Sequence, residues 1–216
     1  LAAHRRDQAT TAAGRMNDSF AALLATPGVD EVCELRSSFG FMAYHGGALE
    51  EMTDHIAMAA AARTGSSYYG VHQPKGIERH LPSIRFDPQV SPQLRAFVDH
   101  VDIVVTIHGF GRPGFYTALL LGGQNRDLAH HVGAVLRRRL PAYEVFTDLH
   151  RIPNELRGMH ARNPVNLPPQ RGVQIELPPR VRGTTPLFWD WEGPGLAPHA
   201  QALVDGLVEA VDSWSL

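Results

Sequence analysis

Apolar residues in this chain fall into short runs of two kinds. EVCELR, FGFMAYH, SSYYGVH, VDIVVTIHG, FYTALLLGG, AYEVFTD and GVQIELPP are rich in bulky or β-branched residues and end at Gly, Ser, Pro or a polar residue, which predicts strands. Other segments repeat their apolar residues at three and four, which predicts helices. These are Ser19–Thr26, halted by Pro27-Gly28; Leu49 to Arg63, closed by Gly65; Pro92 to His100 after Ser91; Arg126 to Arg139 after Asn125; and residues 197–214. Strands and helices alternate, so the expected fold is α/β: one three-layer domain over residues 1–216, with a mainly parallel or mixed central sheet and helices on both faces. Residues 1–15 are polar and aperiodic and read as a loose arm, and WDWEGPG reads as a turn. From His150 to Arg171 the chain is irregular, with Pro153, Pro164, Pro168 and Pro169, and a structureless stretch of that length is expected to form part of a site.

Composition narrows the function classes. Twenty Lys plus Arg against 22 Asp plus Glu leave a formal charge of -2, which speaks against nucleic acid as a partner. No apolar stretch reaches the about 18 residues of a membrane span. Lys75 is the sole lysine, so the basic side chains are nearly all arginines, the better carboxylate clamps. The single cysteine, Cys33, permits no internal disulfide and reads as a small core residue. Twelve histidines are many for 216 residues, which directs any search for a metal site to His, Asp and Glu. No basic-apolar-small leader is visible, so the cytoplasm is the expected compartment, although the chain does not begin with Met and the question stays open. The oligomeric state is equally open, a monomer included.

The chemistry gathers where apolar strands give out. In open α/β sheets ligands bind beyond the carboxyl ends of the strands. His45 follows FMAY, His108 follows VVTI, and Glu176 sits within VQIEL. Glu50 follows His45 across a Gly-Gly turn that lets the backbone fold back beside the imidazole. Two imidazoles and a carboxylate suit Zn²⁺, with a fourth position left for water. The metal lowers the pKa of that water from ~15.7 to ~7, and a separate carboxylate, Glu176, is then needed to carry the proton to a leaving amine.

Each of these residues also has a plainer reading. Glu50 alone is a carboxylate at a helix start, and Glu176 alone could pair with Arg180 or Arg182 at a strand edge. His55, His72, His80, His130, His131, His150 and His160 are read as structural or surface histidines. A charge after VVTI or within VQIEL is harder to explain this way, because an unpaired buried charge is costly. From spacing alone the metal reading and the plain one stand level.

The segments AYHGGALEEMTDHIA, LPSIRFDPQ, VDIVVTIHG, ALLLGGQNRDL and RGVQIEL, in this order, resemble the poly-γ-glutamate hydrolase family of phages and bacteria. Its HGG-x-x-E block corresponds to His45, Gly46, Gly47 and Glu50, its HG to His108 and Gly109, and its GVQ-[IL]-E to Gly172 through Glu176. The resemblance implies a zinc carboxypeptidase-like fold, with His45, Glu50 and His108 as zinc ligands and Glu176 as general base. The Glu follows the His at a longer interval than in ordinary zinc carboxypeptidases. The loop GFGRPGFYT after His108 maps onto no substrate residue of the family.

The expected activity is therefore zinc-dependent hydrolysis of an amide in a γ-glutamyl or related acidic peptide. Arg112 is the first choice for the oxyanion or a substrate carboxylate, with Arg162, Asn163, Arg180 and Arg182 as further choices. An N-acyl amino acid or a peptidoglycan-type peptide would be served by the same centre. A catalytically idle binding module holding zinc is the reading from another class, and the spare carboxylate of Glu176 speaks against it. The absence of a G-x-S-x-G elbow leaves a serine hydrolase unsupported.

Overall fold

A computed structural model of the chain describes residues 19–185, 187, 193 and 195–215. The expected N-terminal arm, and all of the WDWEGPG turn but its two glycines, lie outside these residues. Seven strands form one sheet: β1 (Asp30–Glu34), β2 (Ser37–Gly47), β3 (Ser66–Gln73), β4 (Ile103–Gly109), β5 (Ala118–Leu121), β6 (Glu144–Phe146) and β7 (Gly172–Leu177). Their order across the sheet is β1-β3-β2-β4-β7-β5-β6.

The core of the sheet, β3-β2-β4-β7, is parallel, and its edges are not. β1 runs antiparallel to β3, and β5, which is parallel to β6, runs antiparallel to β7. The reason lies in the connections, since no helix separates β1 from β2 or β4 from β5. A chain without a crossover must come back in the opposite direction. β7, the last strand in sequence, is inserted between β4 and β5.

Helices α1 (Phe20–Leu24), α2 (Thr53–Thr64), α3 (Pro92–His100), α4 (Arg126–Arg139), α5 (Pro179–Arg182) and α6 (Pro198–Asp212) are described. The caps read from the sequence are in place: Ser91 Oγ accepts from Leu94 N–H and Asn125 Oδ1 from Leu128 N–H, each at 2.9 Å. One core packs α2, α4 and α6 on Phe41, Ala43, Val105, Ile107, Val173 and Ile175. A second packs α1 and α3 on Met42, Tyr44, Tyr69 and Val104 across the sheet. Odd and even positions of β2 and β4 thus feed opposite cores, the three-layer arrangement expected. Cys33, expected in the core, is half-buried on the edge strand β1.

The helix expected from Leu49 begins only at Thr53. Residues 48–52 form a turn instead, in which Glu50 N–H donates to His45 O at 3.0 Å and Met52 takes a left-handed φ of 72°. The periodic apolar pattern could not separate this turn from the first turn of a helix. No described helix is long and apolar enough to cross a membrane.

The Gly-Gly turn is constrained by its neighbour strand. Gly47 has a φ of +73°, and a Cβ there would lie 2.2 Å from Gln73 O. Gly47→Ala is expected to cost about 1–3 kcal/mol from backbone strain, with the collision added to it. Gly76→Ala, at a φ of +94° with open space around it, would carry the strain alone. Urea denaturation of both variants compares them, and a Gly47→Ala no worse than Gly76→Ala would refute this constraint.

Candidate metal centre

Three local devices bring the site together. The first is a bulge in β2. Ala43 to Gly46 spans three steps against two in β3, from Gly70 to His72. The extra residue lets two successive side chains, Tyr44 and His45, lie on the same side of the sheet, where both rings pack on Phe86. The second is the turn that carries Glu50 back towards His45. The third is register: His108 on β4 is paired with Glu176 on β7, so their side chains are neighbours on that same face.

Glu50 stands between the imidazoles. Its Oε1 is 2.8 Å from His45 Nδ1 and its Oε2 is 3.2 Å from His108 Nδ1. Gly109 N–H also donates to Oε2 at 2.8 Å. His45 and His108 are each 2% exposed, so water contributes little to their solvation. Gly109 also has a steric reason to be glycine: a Cβ would lie 2.9 Å from the Arg182 guanidinium carbon. Arg182 is buried behind the site, donating to Glu51 O at 2.6 Å and Leu177 O at 3.2 Å.

The donor set fits a cation. His45 Nε2 is 2.8 Å from Leu81 O, which can only accept, so Nε2 carries a hydrogen. In the neutral ring Nδ1 is then a lone pair facing a carboxylate oxygen. That contact is favourable only with a proton or a metal ion between the two atoms. One ligand atom from each of His45, Glu50 and His108 lies within 4.8 Å of the others, a set that could hold a metal ion.

Electrostatics point the same way. Burial alone would raise the Glu50 pKa, but His45 and His108 outweigh it and hold the carboxyl well below its usual range. Burial alone would lower that of His108, and Glu50 outweighs it, for a net rise. Glu176, 4% exposed, is pushed up to about 7, first by burial and then by Glu50, against the opposing pull of His108. Gln174 Nε2 donates to its Oε1 at 2.8 Å.

The four residues lie on the wall of a cavity of about 550 Å³. Phe110, Leu156, Met159 and Ile84 supply its apolar surface, and the irregular segment after residue 150 closes one side as expected. The arginines do not join this wall. Arg112 is exposed and paired with Glu155, itself a wall residue; Arg162 lines a neighbouring cavity; Arg180 lies 5.8 Å from the Tyr143 ring. Asn163 is buried against Tyr44 and Gln174. Sequence reasoning missed Tyr44 and Gln174 and read His80 and His160 as structural or surface histidines; both line the cavity. Gln174 could have been found, since it is two residues before Glu176 and shares its face. Tyr44 could not, because the bulge leaves no trace in the pattern.

A family model described as poly-gamma-glutamate hydrolase matches residues 19–201. A solved structure of a bacteriophage poly-gamma-glutamate hydrolase superposes with a TM-score of 0.74 at 19% identity, covering 89% of this chain and 94% of that one. The zinc-free apo form of a protein named YNDL gives a TM-score of 0.76 at 17% identity, covering 92% and 98%. At these identities the likeness is one of fold. No curated protein matches the sequence.

A metal ion held by this set would take the place of a proton between His108 and Glu50. Because the His108 pKa is raised in the metal-free protein, affinity for zinc is expected to climb as pH rises above the ordinary histidine range, with protons released on binding. Calorimetric titration with zinc in two buffers of different ionisation enthalpy measures both. Binding that neither releases protons nor varies with pH would contradict the proposed ligand set.

Proposed function

The chain belongs to the poly-gamma-glutamate hydrolase family, and from that premise we propose that it is a zinc-dependent amidohydrolase acting on γ-glutamyl or related acidic peptides. The observation that carries the reading is a buried carboxylate, Glu176, beside a His-Glu-His set on the wall of one cavity. A closed structural metal site has no use for it.

His45, Glu50 and His108 would hold the ion, and nitrogen donors with a carboxylate are a set that zinc favours. Bound there, zinc would supply Lewis acidity and lower the pKa of water. Glu176 takes the proton from the attacking water and returns it to the departing amide nitrogen. A carboxylate poised near neutrality suits both halves of that task. Phe110, Leu156 and Met159 offer an apolar wall to the rest of the substrate.

Arg112 is the proposed partner for a substrate carboxylate. Its present partner, Glu155, is a wall residue, and an exposed pair of this kind is screened by water, so an incoming carboxylate can replace it. A second reading, an N-acyl amino acid or small-peptide amidase, is favoured by the absence of arginine among the described residues of the wall. A row of carboxylates would find one exchangeable guanidinium there. Hydrolysis of γ-glutamyl, N-acyl and peptidoglycan-type substrates, compared side by side, separates the two readings.

Glu176→Gln is expected to keep zinc and lose hydrolysis by about 10²–10⁴-fold. In the parent protein kcat/KM should rise with pH as Glu176 ionises. The limb lies at or below about 7, because a bound cation draws the carboxyl down from its metal-free value. Steady-state rates from about pH 5 to 9 test this, and a fully active Glu176→Gln would overturn the assignment.

A further inference from the structure

We propose that Tyr44, Asn163 and Gln174 form a directional hydrogen-bond chain that joins His108 to Glu176 and fixes which atom of each is offered to the reaction. The proposal rests on the site reading above. Its links are His108 Nε2 to Tyr44 OH at 3.0 Å, Tyr44 OH to Asn163 Oδ1 at 2.9 Å, Asn163 Nδ2 to Gln174 Oε1 at 2.9 Å, and Gln174 Nε2 to Glu176 Oε1 at 2.8 Å. All five residues are at most 4% exposed, so protein partners have to satisfy these groups.

Two backbone groups set the direction. Val165 N–H donates to Asn163 Oδ1 at 3.3 Å, and Gln174 Nε2 donates to the Leu156 carbonyl at 3.4 Å. An N–H can only give and a carbonyl can only take, so neither amide can be turned round. Asn163 therefore offers Tyr44 an oxygen, and Tyr44 must spend its single proton on it. A phenol carries its proton at neutral pH, so that proton is present. Ser83, the other polar partner of this phenol, leaves the argument unchanged, since Asn163 Oδ1 has no hydrogen to give. Only lone pairs remain on the Tyr44 oxygen for His108.

Both ends of the chain are thereby defined. His108 Nε2 must carry a hydrogen, which leaves Nδ1 as the lone pair turned towards Glu50. His45 reaches the same tautomer through the Leu81 carbonyl, so the two rings are matched by different means. At the far end Glu176 Oε1 is engaged by Gln174, which leaves the other oxygen to exchange protons with substrate. Tyr44, Asn163 and Gln174 are positioning residues, acting through His108 and Glu176. A chain with both amides reversed would leave Val165 N–H against an NH₂ group and would present the wrong nitrogen of His108.

Histidine-labelled protein tests the chain by ¹⁵N–¹H NMR, recorded without metal at alkaline pH, where the rings are neutral. The expected spectrum has His108 protonated on Nε2, and a His108 protonated on Nδ1 would overturn the proposal. This result is independent of zinc and of any variant. Tyr44→Phe keeps the ring in its packing and removes the hydroxyl; it should bind zinc about 10–100-fold more weakly and lose the protected Nε2–H signal. Gln174→Met should leave zinc affinity within about threefold while kcat falls about tenfold at unchanged KM. Tyr44→Phe with parental zinc affinity and an unchanged His108 signal would sink the first link. Equal loss of zinc in both variants would reduce the chain to general packing. If the parent protein itself takes up no zinc, the metal reading fails, and the tautomer still decides the chain.

Discussion

A carboxylate held between two buried imidazoles is the contact on which the rest of this structure depends. Glu50 brings its two oxygens to His45 and His108 in a place where the histidines are 2% exposed. Charge in such surroundings is tolerated only when it is paired and hydrogen-bonded, and several kcal/mol are at stake if it is not. The surrounding architecture can be understood as the means of meeting that condition. The β2 bulge turns His45 to the site, the Gly46-Gly47 turn brings Glu50 back, β4 delivers His108, and the Gly109 amide supplies a further donor to the carboxylate.

The same arrangement separates two acids by environment. Glu50 lies against His45 and His108 and is held ionised, whereas Glu176, buried and hydrogen-bonded to Gln174, is pushed up to about 7 against the pull of His108. One is thereby suited to binding a cation and the other to moving a proton. Arg182 lies behind both, where its charge favours the ionised form of each without entering the cavity.

Much of this was legible in the sequence because it depends on short-range rules. Runs of bulky or β-branched residues bounded by glycine or proline marked β2, β4 and β7, and Ser91, Asn125 and Gly65 marked helix ends. The residues where those strands stop, His45, His108 and Glu176, were therefore visible as polar intrusions, and the family resemblance tied them together. What escaped depends on pairing between distant segments. The antiparallel edges follow from where strands without crossovers find room, and the bulge exists only relative to β3. Tyr44 looked like one more apolar strand residue, and the late start of α2 was hidden because the turn over residues 48–52 shares its apolar spacing. Arg112 follows His108 closely in sequence. The loop carries it out to Glu155, a partner no local pattern could foretell.

The central claim is that His45, Glu50 and His108 together bind one zinc ion. X-ray absorption at the zinc edge, recorded on protein loaded with one equivalent, reads the ion's neighbours directly. The account predicts a nitrogen and oxygen shell at about 2.0–2.2 Å containing two imidazoles, with one imidazole lost in His108→Ala. A shell containing sulfur from Cys33, or one unchanged by that substitution, would contradict it.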